Sequence, residues 1–384
     1  MKKKILFIVS TMESGGVSKS MSTLLNVINT NRFDVDVLVL NPTGVFMKLL
    51  PNSITVISDS KTQLFFSKFP QNLFLMLKKG YFFAALLRFF AAVVMLLNKG
   101  IGAKLLSKGI LKIAKQYDLA VDYNGQHQLY FLVDYVSAKV KVSVFHSDYS
   151  QWDYYYFMDK KYYPKVDKIF TISATCVQSL KNYFPNQSSK IELFENISSL
   201  KVMQQLAEAP IEIMPSNSLV TIGHLMKTKG TLLALETAAL LQKRGVDFKW
   251  YFVGQNSQDH DYVGIVHQYG LQENVVLVGV TANPYPYIKN AAVVVHTSYF
   301  EGKSIALDEA KLFCKPIVVT NFSTVKDQFQ DQYNSTISPF DSAVIAQNVI
   351  DLLTDKSLQK TYEEHLKKDR KCNEDEIEKL YRLI

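Results

Sequence analysis

The sequence predicts an α/β protein made of two doubly wound parallel sheets, and three observations carry that reading. Short β-branched runs alternate with stretches of helical periodicity. The order strand, glycine turn, helix, strand begins at the N terminus and begins again near residue 219. A length of 384 residues exceeds one typical core of about 100–200 residues.

The opening run "ILFIVST" reads as a buried strand, "MESGG" as a turn, and "VSKSMSTLLNVI" as a helix with Val17, Met21, Leu24, Leu25 and Ile28 on one face. The basic start has no long apolar segment or small-residue cleavage site behind it, so a buried first strand is expected there and not a signal peptide. Strands follow at "DVDVLVL", "ITVIS", "DLAVDY", "VKVSVFH" and "KIFTIS", and the helix "ATCVQSLKNYF" follows the last. Periodicity weakens through "NISSLKVMQQLAEAPIEIMPSNS", where two prolines suit a linker.

Beyond it come the strand "LVTIGHL", the helix "TLLALETAALLQKRG", the strand "DFKWYFVG", the helix "DYVGIVHQYG" and the strand "NVVLVG". A short helix near "PYPYIKNA", the strand "AVVVHTS", the helix "IALDEAKLFC" and the strand "PIVVT" complete the pattern. The expected domains are 1–197 and 198–365, with a terminal helix over 366–384 whose stripe of Ile377, Leu380 and Tyr381 must pack somewhere.

With 43 basic and 35 acidic residues the net charge is +8, which favours anionic partners without selecting among phosphate, acidic lipid and nucleic acid. Cys176, Cys314 and Cys372 are odd in number and widely spaced, so neither a disulfide framework nor a zinc site is indicated, which suits a reducing cytoplasm.

The segment Tyr81–Leu97, "YFFAALLRFFAAVVMLL", raises the question of a membrane. As a helix it is roughly 26 Å long, short of a ~30 Å hydrocarbon core. Arg88 near its centre costs about 2.5–3.5 kcal/mol on insertion, close to what the ten Leu, Phe and Val residues gain. A span would also put residues 1–80 on the opposite side from the rest and divide the first sheet. Two readings remain: a core helix, and a basic amphipathic element lying on a membrane surface.

Four constellations follow strands, where open parallel sheets bind ligands. In "GHLMKTKG" (223–230), Lys229 and His224 put one permanent and one conditional positive charge at a strand-to-helix loop, or Lys229 is simply solvated. In "HTSYFEGKSIALDEA" (296–310), a helix starting near Ser304 leaves the amides of Lys303, Ser304 and Ile305 unpaired within the helix, ready for an anion, and Lys303 adds a charge. Glu301 and Glu309 flank that start, either as hydroxyl clamps on a sugar and a ribose or as a solvated turn and an exposed helix face. In "SGGV", Gly15 and Gly16 permit close backbone approach to a ligand or form only a turn. In "VFHSDYSQWDYYYF", His146 is a candidate to hydrogen-bond a reacting sugar and Asp148 to orient groups nearby, or both are structural.

Taken together, "EGKSIALDEA" resembles the E-x7-E motif of retaining glycosyltransferases of the GT-B class, family 4. "GHLMKTKG" is similar to that family's G-R-L-x-x-x-K-G, "WYFVG" to the strand and glycine of its second domain, "SGGV" to its N-terminal glycine loop, and "FTISATCVQSL" to a recurrent helix entry. The matches are collinear along the chain. The resemblance implies a GT-B fold of two Rossmann-like domains, an acceptor-side one over 1–197 and a nucleotide-sugar-binding one over 198–365, with the C-terminal helix crossing back to the first.

It also implies roles. Lys229 would bind the diphosphate, Glu309 the ribose, and Glu301 the hydroxyls of the transferred sugar. Gly302, Lys303, Ser304 and Ile305 would line sugar and phosphate, Gly15 and Gly16 would approach the phosphate, and His146 would sit at the reacting sugar. His224 stands where the family has arginine, which removes a bidentate fork, and "GKS" replaces a glycine-phenylalanine-glycine turn.

The expected activity is retaining transfer of a hexosyl unit from a nucleotide sugar, UDP-linked by the frequency of that donor in the family, to a lipid-linked or cell-surface glycan acceptor of the capsule or exopolysaccharide kind. No metal or other cofactor is expected, because lysine and helix-start amides can stabilise the leaving group. A peripheral position on the inner face of the membrane follows from the basic, apolar 70–106 segment, and no nucleic-acid partner is expected. Two other activities fit such a cleft: a non-hydrolysing sugar-nucleotide epimerase, and a non-catalytic subunit of a membrane glycosyltransferase.

Overall fold

This computed structural model describes residues 2–13 and 15–384, with the side chain of Val202 outside that description. Ser14 of the "SGGV" stretch lies outside the described residues.

The chain forms two compact units. One comprises residues 2–13, 17–197 and 375–384; the other comprises 198–374 together with Gly15 and Gly16.

The first unit is a seven-stranded sheet of β1 (Lys3–Val9), β2 (Phe33–Val39), β3 (Thr55–Ile57), β4 (Tyr117–Asp122), β5 (Ala138–Phe145), β6 (Lys168–Thr171) and β7 (Ile191–Leu193). The spatial order is β3-β2-β1-β4-β5-β6-β7, and every pairing is parallel. Alternation along β1 distributes its side chains to two cores. Ile5, Phe7 and Val9 pack with Met21 and Leu24 on one face, whereas Leu6 and Ile8 pack with Leu129 and Phe131 on the other.

The second unit is a six-stranded parallel sheet of β8 (Ser218–Ile222), β9 (Lys249–Val253), β10 (Val275–Gly279), β11 (Val293–His296), β12 (Ile317–Thr320) and β13 (Thr336–Ser338), in the order β10-β9-β8-β11-β12-β13. It too is doubly wound: Leu219, Trp250 and Val293 face one core, Val220, Tyr251 and Val294 the other.

Three differences from the sequence reading have physical causes. The stretch expected to be linker carries a helix, Leu200–Leu206, because Met203 and Ala207 stand one turn apart and bury against the second sheet. Residues 366–374 stay in the second unit, since the helix Lys356–Asp369 buries Tyr362 and Leu366.

What belongs to the first unit is the last ten residues, and in place of one continuous helix they carry most of a 3-10 turn, Glu374–Ile377, whose first residue still counts with the second unit, and one short α turn, Glu378–Tyr381. Ile377, Leu380 and Tyr381 enter the first unit's core; the Tyr381 ring stacks on Phe33 at 4.5 Å, and its hydroxyl accepts from the Asn29 amide at 2.8 Å.

The segment in question is a helix, Phe82–Leu97. Among the described residues no helix is long and apolar enough to cross a membrane. The core reading holds for one side only: Ala84, Ala85 and Ala91, with half-buried Leu87 and Met95, pack into a small core with Phe65, Met76 and Leu106, while most of the large apolar side chains stay exposed.

Candidate functional site

Within the second unit the two sequence constellations meet. The loop after β8 and the loop after β11 are joined by backbone and hydroxyl contacts: the Tyr299 amide donates to Thr228 O at 3.0 Å, and Thr297 Oγ1 donates to Gly230 O at 2.9 Å. Gly230 is left-handed at φ 66° and a Cβ there would lie 1.9 Å from Thr297 O, so only glycine lets the loops approach this closely. Both loops follow strands at their carboxyl ends, the ligand-binding edge of a parallel sheet.

At the centre of this junction Lys229 Nζ lies 2.7 Å from each carboxylate oxygen of Glu301, and His296 Nε2 lies 2.9 Å from Oε1. Glu301 and His296 are buried, and Thr324 Oγ1 fixes the Glu301 backbone carbonyl at 2.8 Å. Burial works against ionisation of Glu301, yet the Lys229 ammonium and the hydrogen bond from His296 outweigh it and hold the carboxyl at about 2. An ionised carboxylate only accepts, so His296 Nε2 carries the proton.

The helix start differs from expectation. The helix Ile305–Leu312 has Ser304 as its N-cap, and the Ser304 amide donates to Gln328 Oε1 at 2.9 Å, while Gln328 Nε2 returns a bond to Ser304 O at 2.8 Å and another to Asp308 Oδ1 at 2.9 Å. The Ser304 amide is therefore not awaiting an anion; Gln328 takes the bond that the helix leaves open. Lys303, read as a mobile charge, is nearly buried and faces Asp308, with Nζ 3.6 Å from Oδ2. Gly302 lies in the turn before it, and Ile305 opens the helix.

Glu309 does not lie on an exposed face. It is 3% exposed and accepts from Tyr285 Oη at 3.0 Å. Burial, together with the Glu309 charge, pushes the Tyr285 phenol far above its ordinary value, so it stays a donor. His224 is half-buried in the loop after β8. Gly15, at φ 148°, precedes the first helix, and Gly16 is that helix's first residue.

His146 belongs to the first unit, directly after β5. Its ring lies 4.6 Å from that of Tyr123, whose hydroxyl bonds Ser20 Oγ at 2.8 Å. Its Nε2 has no hydrogen-bond partner among the described residues. Burial pushes its pKa down to about 3, so the ring is neutral at physiological pH and serves as a hydrogen-bonding group, not a cationic acid. Asp148 is structural: it accepts from the Ser150 amide at 3.0 Å and from Ser179 Oγ at 2.5 Å.

His296, Tyr285, Asp308, Thr324 and Gln328 escaped the sequence reading. His296 stood at the head of the quoted stretch without a role, and its place at the end of a buried strand was the available signal. The other four act through the fold, and spacing gave no sign of them.

Comparison with known proteins bears on this geometry. Residues 205–369, which hold Lys229, Glu301 and Glu309, match the model of the glycosyl transferases group 1 family. HepE from Anabaena, solved with UDP and glucose, superposes with a TM-score of 0.70 at 15% identity, covering 99% of this chain and 98% of that one. A variant of TarM from Staphylococcus aureus, solved with UDP and α-GlcNAc-glycerol, gives 0.71 at 14% identity, covering 99% of each chain. The fold is GT-B.

Among curated relatives, the N-acetylgalactosamine-N,N'-diacetylbacillosaminyl-diphospho-undecaprenol 4-alpha-N-acetylgalactosaminyltransferase of Campylobacter jejuni is 24% identical over 207 residues, 53% of this chain and 56% of that protein. The chain thus spans about half the length of that relative.

Proposed function

We propose that this protein is a glycosyltransferase of the retaining, family 4 kind that moves a hexosyl unit from a UDP sugar to a lipid-linked or cell-surface glycan acceptor. The observation that carries the reading is the Lys229–Glu301–His296 group beside buried Glu309, in the part of the chain that matches the group 1 family.

Lys229 commits two of its three N–H bonds to Glu301, and the third is the donor offered to a departing diphosphate. Glu301 fixes that ammonium in place and is itself locked by His296, so sugar hydroxyls meet an already oriented carboxylate. Glu309, steadied by Tyr285, is the acceptor for ribose hydroxyls. Lys303 supplies charge close to the helix start, and His224 stands where the family has arginine. Neutral His146 is the hydrogen-bonding group for the reacting sugar on the first unit. With these fixed charges the chemistry needs no metal.

UDP in both structural neighbours supports the donor class, and the alpha linkages in the TarM complex and in the Campylobacter relative's name support retention. The diphospho-undecaprenol in that relative's name supports a lipid-linked acceptor; a role in capsule or exopolysaccharide synthesis and a peripheral place on the cytoplasmic face of the membrane belong to the same proposal.

A thermal-shift screen across nucleotides and nucleotide sugars tests the donor half. UDP and at least one UDP-hexose raise the melting temperature by several degrees, and Glu309→Ala abolishes the shift. No shift with any nucleotide overturns the reading. A change in a UDP sugar without acceptor identifies an epimerase instead, and nucleotide binding with no turnover in a membrane extract identifies a non-catalytic subunit.

A further inference from the structure

The helix Phe82–Leu97 is turned inside out relative to a core helix. Its buried positions are Ala84, Ala85 and Ala91, whereas Phe83, Leu96 and Leu97 are 90%, 86% and 87% exposed. Phe83, Leu86, Phe90, Val93 and Leu97 recur at i, i+3, i+7, i+10 and i+14, so the large apolar side chains form one outward stripe. The neighbouring helix Gln71–Lys78 adds Phe74, which is 70% exposed. Single exposed apolar residues need no explanation, but a continuous patch of this kind marks a docking surface.

Arg88, the one charged residue of the helix, does not interrupt the stripe. It is half-buried on the inner side, where Nε donates to Phe65 O at 3.1 Å and its guanidinium carbon lies 4.9 Å from the centre of the Phe69 ring. Charge is instead gathered around the patch. Residues 60–117 contain ten Lys and Arg and no Asp or Glu, more positive charge than the +8 of the whole chain. Exposed Lys78 and Lys79 stand just before the helix, and exposed Lys99 just after it.

We propose that this face docks on an anionic phospholipid bilayer, with the helix lying in the plane of the interface and the lysines among the headgroups. At 16 residues the helix is about 24 Å long, and an uncharged stripe with a basic surround is the pattern of an interfacial element. A second copy of the chain fits the patch poorly, because it would bring the exposed Lys78, Lys79 and Lys99 of one copy up to those of the other with no carboxylate of residues 60–117 to offset them. The inference gives the peripheral placement proposed above a definite face, and rests on that reading only for what the membrane supplies.

The test is co-sedimentation of the full chain with phosphatidylcholine vesicles, with and without phosphatidylglycerol, without donor or acceptor. Binding is expected to the anionic vesicles and at least ~10-fold weaker to the neutral ones, falling as salt rises. Phe83→Ser with Leu97→Ser should weaken partitioning ~10-fold or more at unchanged melting temperature, since both side chains are already in solvent, and Lys78→Gln with Lys79→Gln about tenfold.

Failure of the wild type to bind anionic vesicles overturns the proposal, as does binding indifferent to Phe83→Ser with Leu97→Ser. A concentration-dependent dimer that the same pair of substitutions dissolves would show that a second copy covers the face. Vesicle binding without any nucleotide-induced thermal shift would leave this inference standing and remove the transferase reading; the reverse result would do the opposite.

Discussion

Lys229 and Glu301 form a bidentate ion pair, 72 positions apart in sequence and 2.7 Å apart at both carboxylate oxygens. The pair makes acid stability a readout of the site. The folded carboxyl, held at about 2, lies below its ordinary 4.5, so its contribution is fully present above about pH 4.5 and is lost as pH falls toward 2. Glu301→Gln should therefore cost roughly 2–3 kcal/mol near neutral pH and progressively less toward pH 2. Calorimetry of wild type and variant across that range checks it; a constant difference at all pH values would contradict the charge-based account.

Glu309 is buried beside Tyr285 and is assigned to the ribose. Glu309→Gln keeps volume and one acceptor and should weaken UDP binding about tenfold, the cost of one charge-assisted hydrogen bond. Tyr285→Phe, which removes only the steadying donor, should weaken it less. Titration calorimetry with UDP orders the two; equal affinity for all three proteins would remove Glu309 from the nucleotide site.

Lys303 is nearly buried and 3.6 Å from Asp308. If its charge serves the leaving diphosphate, Lys303→Ala lowers kcat by about 10–100-fold while the melting temperature changes by only a few degrees. The reverse, a large loss of stability with kcat preserved, would assign Lys303 to the Asp308 pair alone. Steady-state kinetics with thermal melts separates the two outcomes.

A second titrating carboxyl lies in the first unit. Asp159 accepts from Tyr130 and Tyr149 hydroxyls at 2.6 and 2.7 Å, and burial pushes its pKa up to about 7. A carboxyl raised in the folded state binds its proton more tightly there than in the unfolded chain. Its effect on stability therefore turns unfavourable as pH rises from about 4 to 7. Asp159→Asn should flatten that slope in thermal melts from pH 4 to 8; an unchanged slope would show that another group sets it.

The fold was legible because most buried strands of the parallel sheets read as short β-branched or aromatic runs, and helices such as Gly16–Val27 carry an apolar face of Met21, Leu24 and Leu25. The three-residue strands β7 and β13 were missed because "IEL" and "TIS" stand in polar surroundings, whereas the equally short β3 lies inside the apolar, β-branched run "ITVIS". Glu301 and Glu309 were legible because they flank one strand-to-helix loop, and Lys229 because it stands in another, 72 positions away; the resemblance of both loops to family motifs supplied their roles. Their partners were not: Gln328 reaches the Ser304 amide from 24 positions away and Tyr285 reaches Glu309 from the same distance, through packing that no spacing announces. The segment 81–97 was ambiguous for a related reason, since composition shows how apolar a helix is, while only its neighbours show which face is covered.

The central claim is that Lys229, held by Glu301, stabilises a departing UDP. The most direct measurement is UDP release from UDP-hexoses in the presence of a membrane extract as acceptor source, comparing wild type with Lys229→Met. The account predicts acceptor-dependent UDP release by the wild type and a loss of about 100-fold or more in the variant. UDP release that survives Lys229→Met at wild-type rate would contradict it.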